Sequence, residues 1–175
     1  MFILNPYPTK KEIMPYNRER AVGYAQKWAL KRNPKYYDFS ESGGDCTNFA
    51  SQVLYEGTRV MNYKSNGWYY ININQRSPSW TSVDAFFDFL IRNKIKGPVG
   101  EQVDVKDVLP GDFVQLSFKH KNDFNHSPAI IKVGSIPDIS NIEIAAHSID
   151  RINYPLSNYK WEYIRFIRIK GVIAQ

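Results

Sequence analysis

The residue with the strongest potential for covalent chemistry is Cys46, the one cysteine of the 175-residue chain. It follows the glycine pair Gly43-Gly44, at the point where an apolar helical pattern begins. The unpaired N–H groups and the dipole of a helix N-terminus stabilise a thiolate, so this position predicts a lowered thiol pKa and a nucleophilic Cys46. The alternative is a small buried hydrophobic residue on an apolar helix. One cysteine with three histidines excludes an internal disulfide and a Cys-rich zinc site, so no metal is expected.

A nucleophilic thiol needs a base, and His126 is the best placed of the three histidines. It lies in Asn-His-Ser-Pro at residues 125–128, at the entry to an apolar strand that the sequence predicts from Ala129. From that position the ring could project toward a helix N-terminus. The alternative is a polar loop residue that precedes a strand. His120 has a lysine on each side in a predicted mobile loop, and is interpreted as a surface residue.

A third polar group would hold the ring of the base, and His147 is the candidate for that role. His147 closes a predicted strand over residues 142–146. From an adjacent antiparallel strand, its side chain would hydrogen-bond the far nitrogen of His126 and fix the tautomer. Asp150, three residues further on, is the rival for the same hydrogen bond, and a solvent-facing strand end is the plain alternative.

Three helices are predicted in the first half of the chain, because apolar residues recur there at helical spacing. Their ranges are residues 16–32, residues 46–57 and residues 82 to about 97. Asp45 is expected to cap the second helix and Thr81 the third. These helices would carry Cys46 at the start of the second and most apolar one.

Strands are predicted in the second half, over residues 113–118, 129–133, 142–146 and 163–169. Helices that precede strands, without alternation, indicate an α+β domain whose N-terminal helices pack on an antiparallel sheet. Pro-Gly-Asp at residues 110–112 is interpreted as a turn that starts the sheet. The length predicts one domain over residues 16–175, preceded by an N-terminal extension over residues 1–15.

An aromatic segment connects the helices over residues 58–80, and aromatic residues make up 15% of the chain. A long segment without periodicity is usually functional or disordered, and its aromatic content argues against disorder. We therefore expect Trp68, Tyr69, Tyr70 and Trp80 to line a substrate groove.

The formal net charge of +6 favours a polyanionic partner, which could be nucleic acid, an anionic membrane surface or a cell-wall polymer. The basic residues are scattered, so no nucleic-acid partner is expected. No apolar run is long enough for a transmembrane segment. The apolar start is too short for a signal peptide, which leaves both the cytoplasm and export from a longer precursor open. The oligomeric state is also open.

Several motifs together resemble the putative amidase domain family, found mainly in Gram-positive bacteria. They are Tyr-Ala, Trp-Ala and Arg-Asn-Pro within residues 24–34, Gly-Gly-Asp-Cys-Thr-Asn-Phe-Ala-Ser-Gln at 43–52, Ser-Trp at 79–80, Leu-Pro-Gly-Asp at 109–112 and Asn-His-Ser at 125–127. The resemblance covers residues 16–170. More distantly, the order of these motifs resembles the papain-like cell-wall hydrolases of the NlpC and CHAP kinds.

The resemblance implies a papain-like fold, with Cys46 as nucleophile, His126 as base and His147 as the third polar residue. It implies a cysteine amidohydrolase or peptidase that acts through a thioester on a peptide or peptidoglycan substrate and needs no cofactor. The backbone N–H of Cys46 is one expected oxyanion donor, while Asp45, also expected to bind substrate, and residues 36–44 are candidates for the second. An acyltransferase or protein-directed effector with the same cysteine and histidine, or a binding module without chemistry, are the alternatives.

Overall fold

A computed structural model describes residues 11–175, in which helices come first and most strands follow. The helices within that range are α1 (Arg18–Trp28), α2 (Cys46–Thr58), α3 (Pro78–Thr81) and α4 (Val83–Arg92). The strands are β1 (Tyr70–Asn72), β2 (Gln75–Arg76), β3 (Gly97–Val103), β4 (Phe113–Ser117), β5 (Ala129–Lys132), β6 (Glu143–Ala146), β7 (Arg151–Pro155) and β8 (Tyr163–Ile173).

Six strands form one antiparallel sheet in the order β3-β8-β4-β5-β6-β7, and β1 pairs with β2 in a separate hairpin. The predicted α+β class with an antiparallel sheet is therefore confirmed. Strand β8 lies between β3 and β4, which do not pair with each other within residues 11–175. Met14, placed by the sequence analysis in the N-terminal extension, pairs with Val172 of β8; residues 1–10 of that extension lie outside the described residues.

The sheet is buried on both faces, because successive side chains of its strands alternate between two apolar clusters. Phe113, Ala129 and Ile167 belong to the cluster that also contains the helices. Their neighbours Val114 and Ile130, with other strand residues, belong to a second cluster closed by the connecting segments around Val108, Ile142 and Leu156. Burial on both faces explains why these strands stand in the sequence as short continuous apolar runs. Within residues 11–175, no helix combines the length and apolarity needed to cross a membrane.

Several predicted boundaries were wrong or incomplete. Thr81 ends α3 and does not cap the next helix, since Ser82 occupies that position. Strand β3 was missed because Gly97-Pro98 and Gly100 are typical of turns. In the structure Gly100 allows close packing of two strands, since a Cβ there would lie only 3.1 Å from Ile167 on the neighbouring strand. Strand β7 was missed because it is largely polar and contains a residue of positive φ, at 48°.

The Pro-Gly-Asp turn lies between β3 and β4, so its interpretation as the start of the sheet is wrong, and its carboxylate joins α1 to the sheet. Asp112 is fully buried, and its Oδ1 accepts hydrogen bonds from Nη1 of Arg18 at 2.7 Å and from the backbone of Ile169 at 2.9 Å. Its Oδ2 accepts from the backbone N–H of Leu109 at 2.8 Å. The side chain of Asp112 therefore joins α1, the turn and β8 at one point.

Candidate active site

Helix α2 begins at Cys46, so the thiol stands at a helix N-terminus as predicted. The two preceding glycines have φ values of 101° and 108°, a region that favours glycine and lets the chain turn sharply into the helix. The Cys46 side chain is 7% exposed, and its Sγ lies 3.8 Å from Oγ1 of Thr47. The thiol is therefore largely buried at the N-terminal end of the helix.

The segment that carries His126 lies against this thiol. Leu116 and His126 extend the pairing of β4 with β5, with hydrogen bonds in both directions between their backbones. The backbone of Ser127, the next residue, lies close enough to the Cys46 thiol to favour its anion. The fold therefore brings the predicted nucleophile to the strand entry that holds the predicted base.

The His126 ring is 8% exposed and is held by a residue that the sequence analysis missed. Its Nε2 lies 3.1 Å from the hydroxyl of Tyr159, and the two ring centroids are 5.3 Å apart. The hydroxyl also lies close enough to Cys46 for a charge on the thiol to affect the phenol. Tyr159 lies on the connection between β7 and β8, and no periodic pattern or motif in the sequence indicates its role.

Ser127 is itself supported from the helix side of the sheet. Gln115 of β4 is fully buried, and its Nε2 donates to Oγ of Ser127 at 3.1 Å and to the carbonyl of Val83 at 2.8 Å. Its Oε1 accepts from Nε of Arg165 at 2.7 Å, and that guanidinium pairs with Asp84. The backbone that faces the thiol is thereby fixed to the start of α4.

Burial acts in opposite directions on the two candidate groups. Desolvation raises the pKa of the Cys46 thiol, and hydrogen bonds from Thr47 and Ser127 oppose that rise without cancelling it. Desolvation lowers the pKa of His126 to about 4 and raises that of Tyr159 to about 12. The predicted lowering of the thiol pKa is therefore wrong, because the desolvation of a buried thiolate outweighs the helix N-terminus.

The predicted hydrogen bond between His147 and His126 is also wrong. Nδ1 of His147 lies 2.6 Å from Oδ2 of Asp45, and its Nε2 lies 2.9 Å from the carbonyl oxygen of Trp28. The ring stacks on Phe49 at a centroid distance of 4.0 Å and is 1% exposed. Both nitrogens are thus occupied, and His147 joins the end of α1 to the start of α2.

Asp45 contacts protein groups with both of its oxygens and is fully buried, so the expectation that it binds substrate is wrong. Oδ1 accepts from the backbone N–H of Phe39 at 2.9 Å and from Nδ2 of Asn48 at 2.8 Å. Its side chain makes no capping hydrogen bond to α2, contrary to expectation. Its backbone N–H donates to Oγ of Ser148, which removes it from the candidates for the second oxyanion donor.

Asp150, the rival of His147, also points elsewhere. It forms a bidentate pair with Arg32, at 2.9 Å to Nη1 and 3.0 Å to Nη2. Nε of the same guanidinium lies 3.2 Å from Asp38 and 3.6 Å from Asp45. These ion pairs connect the turn after β6 to the segment before Cys46.

The aromatic side chains expected to line a groove belong mostly to the core. Trp68 and Trp80 are fully buried and Tyr70 nearly so, and the indole N–H groups of both tryptophans donate to polar side chains of α2. Tyr69 is half-buried, with its ring 5.4 Å from that of Tyr63. The expectation of a substrate groove formed by these four residues is therefore wrong.

His120 is exposed, as its interpretation as a surface residue predicted.

The two main cavities described within residues 11–175 lie away from the candidate site. One cavity of about 790 Å³ lies between residues 62–67 and α4, and another of about 1020 Å³ lies along α1; neither is lined by Cys46 or His126. No group of three or more His, Cys, Asp or Glu side chains that could hold a metal ion is present within residues 11–175.

Comparison with known proteins adds a family. A family model described as "Putative amidase domain" matches residues 15–169. The chain is 33% identical over 119 residues to the uncharacterized protein YhbB of Bacillus subtilis (strain 168), covering 66% of this chain and 37% of that protein. It is 26% identical over 153 residues to the uncharacterized protein YjcM of the same strain, covering 84% and 34%. The chain thus spans about a third of the length of these curated relatives, and no solved structure matches it significantly.

Proposed function

Because the chain belongs to the putative amidase domain family, we propose that it is a cysteine-dependent amidohydrolase that cleaves a peptide amide bond through a thioester. The observation that carries the proposal is the placement of the one cysteine, at the start of α2, close to the backbone next to His126 on the sheet. A cysteine on a helix that faces a histidine on an antiparallel sheet is the papain-like arrangement, and we include that fold in the proposal. We call Cys46 and His126 the dyad.

In the proposed reaction both members of the dyad begin uncharged. Nδ1 of His126 takes the proton of the Cys46 thiol as Sγ attacks the carbonyl carbon, which forms an S–C bond and an oxyanion. The imidazolium then protonates the leaving nitrogen as the C–N bond breaks, and a thioester remains. Water attacks the thioester with His126 as base, which releases the acid and restores the thiol.

One donor for the oxyanion is the backbone N–H of Cys46, which has no hydrogen-bond acceptor among residues 11–175. It stands at the positive end of the α2 dipole, where negative charge is favoured. Within residues 36–44, the N–H groups of Ser42 and Gly44 are occupied by the carbonyl of Phe39. The candidates for the second oxyanion donor in this segment are therefore backbone N–H groups without an acceptor among residues 11–175, such as that of Gly43.

The proposed substrate class is a peptide, and the stem peptides of peptidoglycan are the first candidates. The net charge of +6 would favour adsorption to an anionic cell wall. The support is electrostatic and comes from the net charge of the whole chain, since three of the four aromatic residues predicted to bind substrate are buried.

The test is mass spectrometry of the products from purified peptidoglycan and from a library of peptide amides. We expect wild-type protein to release a new carboxylate, with a loss of about 10³-fold or more in Cys46→Ala and in His126→Ala. His120→Ala, which changes an exposed histidine, is the matched control. Added amine would be acylated if the protein were an acyltransferase, and a binding module would yield no product from either source.

A further inference from the structure

We propose that Tyr159 is the positioning residue of the dyad, holding the His126 ring through Nε2 so that Nδ1 is free to accept a proton. The inference rests on the proposed function and goes beyond it, because a tyrosine takes the place expected for His147. Its basis is the distance of 3.1 Å between the Tyr159 hydroxyl and Nε2. Nδ1 of the ring makes no hydrogen bond to any of residues 11–175.

A neutral imidazole carries one N–H, and the partner of Nε2 decides where that hydrogen lies. When Nε2–H donates to the phenol oxygen, Nδ1 keeps its lone pair and can take the thiol proton. When the phenol donates to Nε2, Nδ1 carries the hydrogen and cannot act as a base. We infer that Nε2–H donates to the phenol oxygen in the resting protein. The same hydrogen bond remains when Nδ1 has taken the proton and the imidazolium has formed.

The Tyr159 hydroxyl is held in place by its surroundings. The backbone N–H of Tyr159 donates to the carbonyl of Leu156 at 3.1 Å, at the end of a short turn. Its ring packs edge-on against Tyr154 at 5.3 Å and lies 6.5 Å from Phe118. A side chain fixed on two sides loses little further entropy when it orients the histidine.

The residues that could compete for this role are engaged elsewhere. His147 binds Asp45 and Trp28, and Asp150 binds Arg32. A phenol also differs from a carboxylate in its effect, since it orients the ring without adding a negative charge that would hold the imidazolium. Tyr159 therefore suits a dyad that is uncharged at rest.

The first test needs no substrate. Long-range ¹H–¹⁵N spectra of protein labelled with ¹⁵N-histidine distinguish the two tautomers, and three histidines give a simple spectrum. His126→Ala assigns the signals. We expect His126 to carry its hydrogen on Nε2 at pH 7, and a hydrogen on Nδ1 would overturn the proposal.

The second test is the rate of Cys46 alkylation by iodoacetamide between pH 5 and pH 9. We expect Tyr159→Phe, which removes only the hydroxyl, to slow alkylation at pH 7 about tenfold, the effect of one lost hydrogen bond. It should also populate the Nδ1–H tautomer. Tyr154→Phe removes a hydroxyl from the adjacent ring and is the matched control, with an expected change of less than twofold.

The variants separate the two proposals. If His126→Ala slows alkylation but Tyr159→Phe behaves like Tyr154→Phe in both tests, the positioning role of Tyr159 is overturned and the dyad stands. If His126→Ala leaves alkylation and amide hydrolysis unchanged, the dyad itself fails, and the role of Tyr159 fails with it.

Discussion

Cys46 and His126 are each less than a tenth exposed, and burial moves their pKa values apart. A raised thiol pKa and an imidazole pKa of about 4 leave both groups neutral around pH 7. The proposed attack therefore combines proton transfer with bond formation, in contrast to a pathway that starts from a preformed thiolate–imidazolium pair. Base strength at Nδ1 is low, but the base is fully available over most of the pH range.

The low pKa of His126 predicts that activity is retained at acidic pH. The acid limb of kcat/KM reports the essential base of the free protein, so we expect its midpoint near pH 4. Circular dichroism at each pH would separate loss of catalysis from loss of fold. An acid limb with a midpoint near pH 6.5, the ordinary histidine value, would contradict the lowered pKa of His126.

At this scale the sequence was sufficient to propose Cys46 and His126, because each stands in a local motif next to a predicted element. It was insufficient for Tyr159, because the hydrogen bond to His126 depends on how the segment after β7 returns across the sheet. The role of His147 was mistaken for the same reason. A strand end could face either His126 or the start of α2, and only the packing of α1 decides between them.

The start of α2 is held by a buried network that joins three elements. His147 at the end of β6 binds Asp45 before α2 and the carbonyl of Trp28 at the end of α1. Removing one partner of a buried pair leaves the other polar group without compensation. The position of Cys46 therefore depends on a pair that takes no part in the proposed reaction.

We predict that His147→Ala destabilises the protein by about 3–5 kcal/mol, because it removes the closest partner of Oδ2 of the buried Asp45 and the ring that stacks on Phe49. Urea unfolding monitored by tryptophan fluorescence would measure the loss. His120→Ala, at an exposed histidine, should change stability by less than about 0.5 kcal/mol. A stable His147→Ala protein without activity would instead return His147 to a direct part in the reaction.

The aromatic segment gives a second prediction about elements. Trp80 is fully buried against Trp68, at a centroid distance of 4.8 Å, so Trp80→Ala should cost about 3–5 kcal/mol. Tyr69→Ala, at a half-buried neighbour, should cost clearly less in the same unfolding experiment. Equal stability of the two variants, with weakened substrate binding in Trp80→Ala, would restore the groove interpretation.

The helices were predictable because apolar residues recur at helical spacing, and the main strands because they are short apolar runs bounded by turn residues. Residues 58–80 were not, because a hairpin and a four-residue helix bury their aromatic side chains at irregular spacing. Irregular spacing is compatible with both a core and a groove. Burial in three dimensions was needed to choose between them.

For the whole molecule, the Arg18–Asp112 pair predicts a pH-dependent stability. Burial raises the pKa of Asp112, and Arg18 limits that rise. Without Arg18 the native carboxyl would retain its proton to higher pH than the unfolded one, whose pKa is about 3.9. The unfolded state would then bind fewer protons, so stability would fall as pH rises above about 4.

We therefore expect Arg18→Met to lose about 3–5 kcal/mol relative to wild type at pH 8, and less at pH 5. Comparing each variant with wild type at the same pH removes the contribution of His126, which is common to both. Arg20→Met changes an exposed arginine on the same helix and should show no such pH dependence. A loss that is equal at pH 5 and pH 8 would show that Asp112 stays ionised without its partner.

The place of β8 between β3 and β4 has a consequence for synthesis. Strands β3 and β4 leave the ribosome well before residues 163–173, yet each is paired to β8 and not to the other. Arg18 of α1 also finds one of its acceptors, the carbonyl of Ile169, only in β8. Until that strand emerges, β3 has no partner strand and β4 has one open edge, and unpaired strand edges favour aggregation. The complete sheet therefore forms only after the C-terminal strand has been translated.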